Sequence, residues 1–253
     1  MLKHLIVCLT ALFIITGCKK NNQEEAILRV VTSADQAPFE FFNSSTNAIE
    51  GFDVDLAKEI GQRLNMEVVI VDMDFGGILP SLQAGHADMA ISGITRTAER
   101  EQTIDFTNDY YQPKMGIVSL TAEPIKSFTD LKIGVQLGSY HQIVLDSMLK
   151  SGNRFEIVAR NRLLDLVQEL LLNNVQAVVM DYIPATKFVK SNSGNLTAVE
   201  FVHPNAQAYA IALPKNSLLK TKINSVLSQL ISEGFIKKLE AKWLSIDEGR
   251  LPQ

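Results

Sequence analysis

Cysteine is scarce. Cys8 and Cys18 are the only two in 253 residues, and both fall in the first eighteen. A disulfide framework for a folded domain is thereby excluded. Charge of one sign is lacking as well. The net charge is −4, with no basic stripe and no run of five like charges, which argues against a nucleic-acid partner. Histidines are few and dispersed. His86, His141 and His203 lie apart from one another, none at metal-ligand spacing, so no metal site and no cofactor is expected. Ser139 and His141 lie two apart without a nucleophile-elbow pattern. Gly76-Gly77 precede a helical stretch but no phosphate-loop Lys-Ser/Thr follows. After the N-terminus no segment approaches 18 consecutive apolar residues.

What is present begins at the N-terminus. Lys3 and His4 precede an apolar run from Leu5 to Ile15, too short to span a bilayer and suited to the core of a secretory signal. Ile15-Thr16-Gly17-Cys18 follows, and resembles the bacterial lipoprotein cleavage box; the alternative is an ordinary signal peptide with a chance cysteine. The resemblance implies removal of residues 1–17, acylation of Cys18 and a polar tether over 18–25. The mature chain would then keep one cysteine, at its first position. Several acyl chains, at about 0.8 kcal/mol per buried methylene, would anchor it to a membrane without a transmembrane helix.

The remaining chain alternates short β-branched runs with amphipathic stretches. ILRVVT (27–32), VVIV (68–71) and DMAIS (88–92) read as strands. Leu56, Ile60 and Leu64 mark a helix face, opened by Asp53 as N-cap. A second helix is expected over 78–84, with Pro80 in its first turn and Gly85 ending it. The second half echoes the first: KIGVQ (132–136), a helix over 163–172, and AVVM (177–180). LQAGHADMAISG (82–93) lies over LLLNNVQAVVMD (170–181) without gaps, Asn173 standing in the place of Gly85. The pattern predicts α/β lobes with largely parallel sheets. Irregular stretches at 121–124, after a strand at 116–120, and at 202–208 read as crossings between lobes. The expected division is 26–120 with 209–253 as one lobe and 121–208 as the other; a single sheet with decorated loops is the alternative.

The strings APFEFF (37–42), GFDVDLAKEIGQRL (51–64), DFGGILPSLQAGHADMAISGITRTAER (74–100), IDFTNDYY (104–111), KIGVQLGS (132–139), QAVVMD (176–181), YAIALPKN (209–216) and GFIKKLEAKW (234–243) follow one another in an order that resembles the amino-acid-type extracellular solute-binding proteins of ATP-driven importers, family 3. That resemblance implies a two-lobed periplasmic-binding-protein fold of type II, with a ligand cleft between lobes joined by two hinge crossings. It also implies a non-enzymatic, monomeric, exported protein facing periplasm or cell exterior. Such a protein captures an amino acid and delivers it to a membrane permease. A sensor for a signalling partner, or a cyclohexadienyl-dehydratase-like enzyme on the same fold, are the competing readings.

An amino acid needs a cation and N–H donors for its carboxylate, and a carboxylate and carbonyls for its ammonium. Ligands in open α/β sheets bind beyond the carboxyl ends of strands. By resemblance, Arg100 and the Thr95 amide hold the carboxylate, while the Ser92-Gly93 turn and the Thr95 hydroxyl serve the ammonium. Arg100 read without the resemblance is a solvated helix-terminal residue. Asp181, at the end of an apolar strand, is either the second lobe's ammonium ligand or an N-cap. Ser139 and Tyr140 form a second carboxylate clamp or an ordinary turn. Ser33 and Gln36 stand where many relatives carry an acidic residue and an aromatic. That leaves Phe75 as the aromatic face, unless it is core, with Asp35 two residues away as a substitute acid. Ser33, Gln36 and Gln136 together favour a polar ligand side chain.

Overall fold

The computed structural model describes residues 26–120, 125, 127–192, 196–203 and 207–244. The signal, the tether, Cys18 and the expected crossing at 121–124 lie outside them. Among the described residues no helix is long and apolar enough to cross a membrane.

The first sheet starts with β1 (Ala26–Thr32). A small three-stranded sheet follows, β2 (Asp35–Gln36), β3 (Glu40–Asn43) and β4 (Ala48–Glu50), leading into α1 (Phe52–Leu64). Asp53 does not cap this helix. Gly51 does, at φ +136°, where a Cβ would collide with the Phe39 carbonyl oxygen. The helix thus starts two residues earlier than its polar signal suggests, and Asp53 points into the core. β5 (Met66–Asp72) pairs in parallel with β1. α2 spans Phe75–Gln83, three residues longer at its start than expected, with Gly76 and Gly77 inside it. Pro80 therefore sits in the second turn, where its ring removes a bond to the Gly76 carbonyl. Gly85, at φ +72°, ends the helix as expected. β6 is only Met89–Ala90. A 3-10 turn at Arg100–Gln102 and β7 (Ile104–Tyr111) follow.

The chain then leaves this sheet. β8 (Met115–Ser119) pairs antiparallel with two later strands, so it belongs to the second sheet and not to the first lobe. The sheets are joined by Gln112-Pro113-Lys114, ahead of the expected 121–124. Pro113 was a break that the strand-like runs on either side concealed. The second sheet continues with β9 (Lys132–Gln136), α3 (Tyr140–Lys150), β10 (Glu156–Arg160), α4 (Leu163–Leu171), β11 (Ala177–Asp181), α5 (Tyr182–Ser191) and β12 (Thr197–Phe201). The expected crossing at 202–208 falls partly outside the described residues, at 204–206; the first sheet resumes with β13 (Tyr209–Pro214), followed by α6 (Leu219–Ser232), α7 (Phe235–Leu239) and a π-helical turn over Glu240–Leu244.

The two sheets have the same topology. Their orders are β5-β1-β6-β13-β7 and β10-β9-β11-β8-β12. In each, three parallel strands run second-first-third, and a fourth strand arriving from the other lobe docks antiparallel on the third. Asn173 takes φ +58° where its counterpart Gly85 takes +72°. Strand alternation divides each core in two. Leu28 and Val30 face α1 and α6, while Val31 and Ala90 face α2. Val178 and Met180 face α4, while Ala177 and Val179 face α3. The carboxyl ends of β1, β6, β9 and β11 meet between the lobes.

Candidate functional site

Lobe contacts run the length of this cleft. Gly76 at the start of α2 nearly touches the loop after β9: a Cβ on Gly138 would lie 3.3 Å from the Gly76 Cα. A Cβ on Gly76 would lie 3.6 Å from the Leu137 carbonyl oxygen of that loop, an ordinary contact distance. At one rim Arg162 forks onto Asp72 (3.0 and 3.1 Å) and reaches Asp74 (2.8 Å), and Asn161 donates to Asp74. The lobes are closed on each other.

Arg100 is buried, 7% exposed. Its Nη1 donates to the Thr95 carbonyl (2.6 Å) and its Nη2 to the Gly138 carbonyl of the other lobe (2.8 Å). Burial pulls its pKa down to about 10, because the cation has lost water. Among the described residues it forms no ion pair. The Thr95 backbone bridges to Tyr209, fixing the turn that carries it.

Asp181 closes β11 and precedes α5 but makes no side-chain cap bond. Its Oδ2 accepts from Gln36 Nε2 (3.0 Å) and from the Tyr209 hydroxyl, and its Oδ1 lies 3.3 Å from His141 Nε2. Gln36 and Tyr209 come from the first lobe, so the carboxylate is held from both sides. Burial and the Asp181 charge push the Tyr209 phenol well above its ordinary range. Tyr209 and His141 were not singled out as site residues by the sequence. The signal available was position: Tyr209 is the first residue of the strand after the second crossing, and His141 the second of a helix facing the cleft.

Gly93 adopts φ +53°, and a Cβ there would lie 3.0 Å from the Tyr209 ring and 3.2 Å from Gln36 Nε2. The Ser92 hydroxyl is engaged internally, accepting from the Ser33 N–H and donating to Glu40, both at 2.9 Å. Ser139 caps α3, accepting from the Gln142 N–H (3.2 Å), while the Gly138 N–H donates to the Gln142 side chain (2.7 Å). What that loop presents to the cleft is the N-terminal end of α3, with Tyr140 half-buried at its first position. Gln136 donates to Asp35 (3.3 Å) and to the Asn161 carbonyl (3.2 Å). Asp35 also accepts from the Leu163 N–H at the start of α4 (2.7 Å) and from the Ser33 hydroxyl (3.2 Å). Burial raises its pKa against those donors. With three donors on it, Asp35 joins the lobes and is not a vacant acid for a cationic side chain. Phe75 packs with Val31, Ile78 and Leu82 in the core beneath the cleft.

The sequence profile described as bacterial extracellular solute-binding proteins, family 3, matches residues 28–246. The arginine-binding extracellular protein ArtP of Bacillus subtilis is 35% identical, over 95% of this chain and 96% of its own length. A probable histidine-binding protein of Campylobacter jejuni is 29% identical, over 94% and 96%. Among solved structures, an ancestral arginine-binding protein bound to arginine superposes with a TM-score of 0.81 at 35% identity, covering 87% of this chain and 99% of that one. An ancestral arginine-binding protein bound to glutamine gives 0.80, also at 35% identity.

Proposed function

The chain belongs to family 3 of the bacterial extracellular solute-binding proteins, and on that premise we propose that it captures a free polar amino acid for an ATP-binding-cassette importer. The observation that carries this reading is Arg100. A buried guanidinium with both arms on carbonyls and no anionic partner retains an unbalanced charge, and a ligand carboxylate balances it. Asp181, a buried acid on the opposite lobe, supplies the complementary charge for an ammonium. Thr95 and the α3 N-terminus at Ser139 and Tyr140 assist Arg100 at the carboxylate. The Gly93 carbonyl and the Thr95 hydroxyl assist Asp181. Ser33, Gln36 and Gln136 surround the ligand side chain, Phe75 forms the floor, and Ser92 supports Gly93 from behind. Relatives named for arginine and histidine support a polar ligand. The absence of a vacant acid near Ser33 favours a neutral hydrogen-bonding side chain over a cationic one.

The protein acts as a monomer, with residues 112–114 and 202–208 as hinges. It is anchored outside the cytoplasm through acylated Cys18, and its closed lobes are what the permease reads. A thermal-shift screen against the twenty amino acids tests the reading, since a ligand that binds only the folded state raises apparent stability. One or a few polar amino acids should raise the melting temperature. A flat response across the set, with calorimetry also blank, would reject it.

A further inference from the structure

Behind the cleft lie two acids that the proposed ligand chemistry does not use. Glu40 on β3 and Asp53 on α1 are 1% and 0% exposed. Asp53 accepts from the Gly93 N–H (2.8 Å) and from the Tyr110 hydroxyl (2.8 and 2.9 Å). Glu40 Oε1 accepts from the Ser92 hydroxyl, which in turn accepts from the Ser33 N–H. Glu40 Oε2 is buried and has no hydrogen-bond donor. The two carboxyls hold adjacent residues, Glu40 the Ser92 hydroxyl and Asp53 the Gly93 N–H, and so lie beside each other in the core. No lysine or arginine among the described residues pairs with either. The other titratable groups facing them are Asp35, whose charge adds repulsion, and the phenols of Tyr110 and Tyr209, both held neutral by burial.

Two neighbouring carboxylates in a dry core with no cation cannot both be ionised. A proton on Glu40 Oε2 gives that oxygen a partner, Asp53, and removes one charge. Asp53, which already has two donors, is the better anion. We propose that one proton shared between Glu40 and Asp53 is the positioning device of the ligand site, fixing Ser33, Ser92 and Gly93 through the Glu40–Ser92–Ser33 and Asp53–Gly93 bonds. The proposal rests on those three residues lining the site. Burial and mutual repulsion also push Glu40 well above the usual carboxylate range, and burial pushes Asp53 up to about 7. Loss of the shared proton puts a second charge in the core, which the network relieves only by opening, and the Ser92-Gly93 turn moves with it.

Infrared spectroscopy of the intact soluble chain at neutral pH should show the carbonyl stretch of a protonated buried carboxylic acid, and Glu40→Gln should remove it. The Gly93 amide resonance should titrate on the alkaline side in the wild type and stay flat in Glu40→Gln, whose amide donates permanently to Asp53. L-arginine and L-glutamine serve as calorimetric probes. Affinity for whichever binds should fall with rising pH by up to about tenfold per unit, the slope of one proton, and Glu40→Gln should keep the low-pH affinity without the slope. A wild type lacking the protonated band, or a Gly93 resonance that titrates alike in both proteins, overturns the proposal. The spectroscopic arms need no ligand, and the wild type's own band needs no variant. A blank ligand screen would therefore sink the functional reading while leaving this one decided.

Discussion

Replacing Arg100 with methionine separates the cost of holding a charge from its use. Methionine keeps most of the volume and discards the cation. In the empty protein two opposing terms change. The charged hydrogen bonds to the Thr95 and Gly138 carbonyls are lost, at about 1.5–3 kcal/mol each. Set against them is relief from burying an uncompensated guanidinium, a penalty of several kcal/mol per ion after relaxation. The two nearly cancel, so the melting temperature of the empty variant should stay within a few degrees of wild type, or rise.

Binding has no such cancellation. The ligand carboxylate would enter the same dry site with no cation, and truncating one partner of a buried charge pair costs about 3–5 kcal/mol. At about 1.4 kcal/mol per decade that is a few-hundred- to few-thousand-fold weaker affinity. Arg100→Lys should fail nearly as badly, because an ammonium cannot fork onto two carbonyls and still face a carboxylate. Calorimetry with the amino acid returned by the screen, beside thermal melts of the empty proteins, reads both halves. An affinity within about tenfold of wild type, or an empty variant that unfolds many degrees early, would refute the reasoning and make Arg100 a structural residue.

Cys18→Ser should abolish membrane fractionation or processing; a variant that fractionates and migrates like wild type removes the lipoprotein assignment. Arg162→Ala should weaken ligand binding about two- to thirtyfold, since its partly exposed pairs with Asp72 and Asp74 contribute about 0.2–1 kcal/mol each to the closed form. The effect should shrink in high salt, and an unchanged dissociation rate would argue that these bonds do not hold the lobes shut. Asp53 is raised from 3.8 to about 7 in the folded protein, so the unfolded chain gives up this proton first. Its contribution to stability is therefore full below about pH 4 and lost as pH rises through about 7. Chemical denaturation across that window should show a falling component that Asp53→Asn removes.

Much of the fold was legible because its signals are periodic. The continuous apolar runs of β9 and β11 follow from burial on both faces, the α4 face from side-chain direction, and the Gly85/Asn173 helix ends from one backbone region that few residues enter. Lobe membership was not, because a strand's sequence says which faces it buries and not which sheet it joins. β8 is buried at every position, and such a run fits the middle of either sheet. Asp53 was misjudged for a related reason. Asp before a helical pattern is a good cap signal, and only the contact of Gly51 with the Phe39 carbonyl moves the helix start and turns Asp53 inward. In the site, Arg100 was singled out by the family resemblance and Asp181 by its place at the end of an apolar strand. His141 and Tyr209 were not, since each is defined by what faces it across the cleft.

That dependence also ties the hinge to the site. The strand that each crossing delivers docks antiparallel as the fourth of the receiving sheet, beside the third strand, whose carboxyl end carries the candidate residues. Residues 202–208 deliver Tyr209, and its hydroxyl meets Asp181 on the lobe the chain has just left. Lys114, at the end of the other crossing, accepts the Tyr182 N–H through its carbonyl at 2.7 Å, immediately after Asp181. Both crossings thus end on the same corner of β11. A rotation at either alters the setting of Asp181 against Tyr209 and Gln36. A ligand ammonium that fixes Asp181 stabilises one rotation over the others, which is the differential affinity that closure requires.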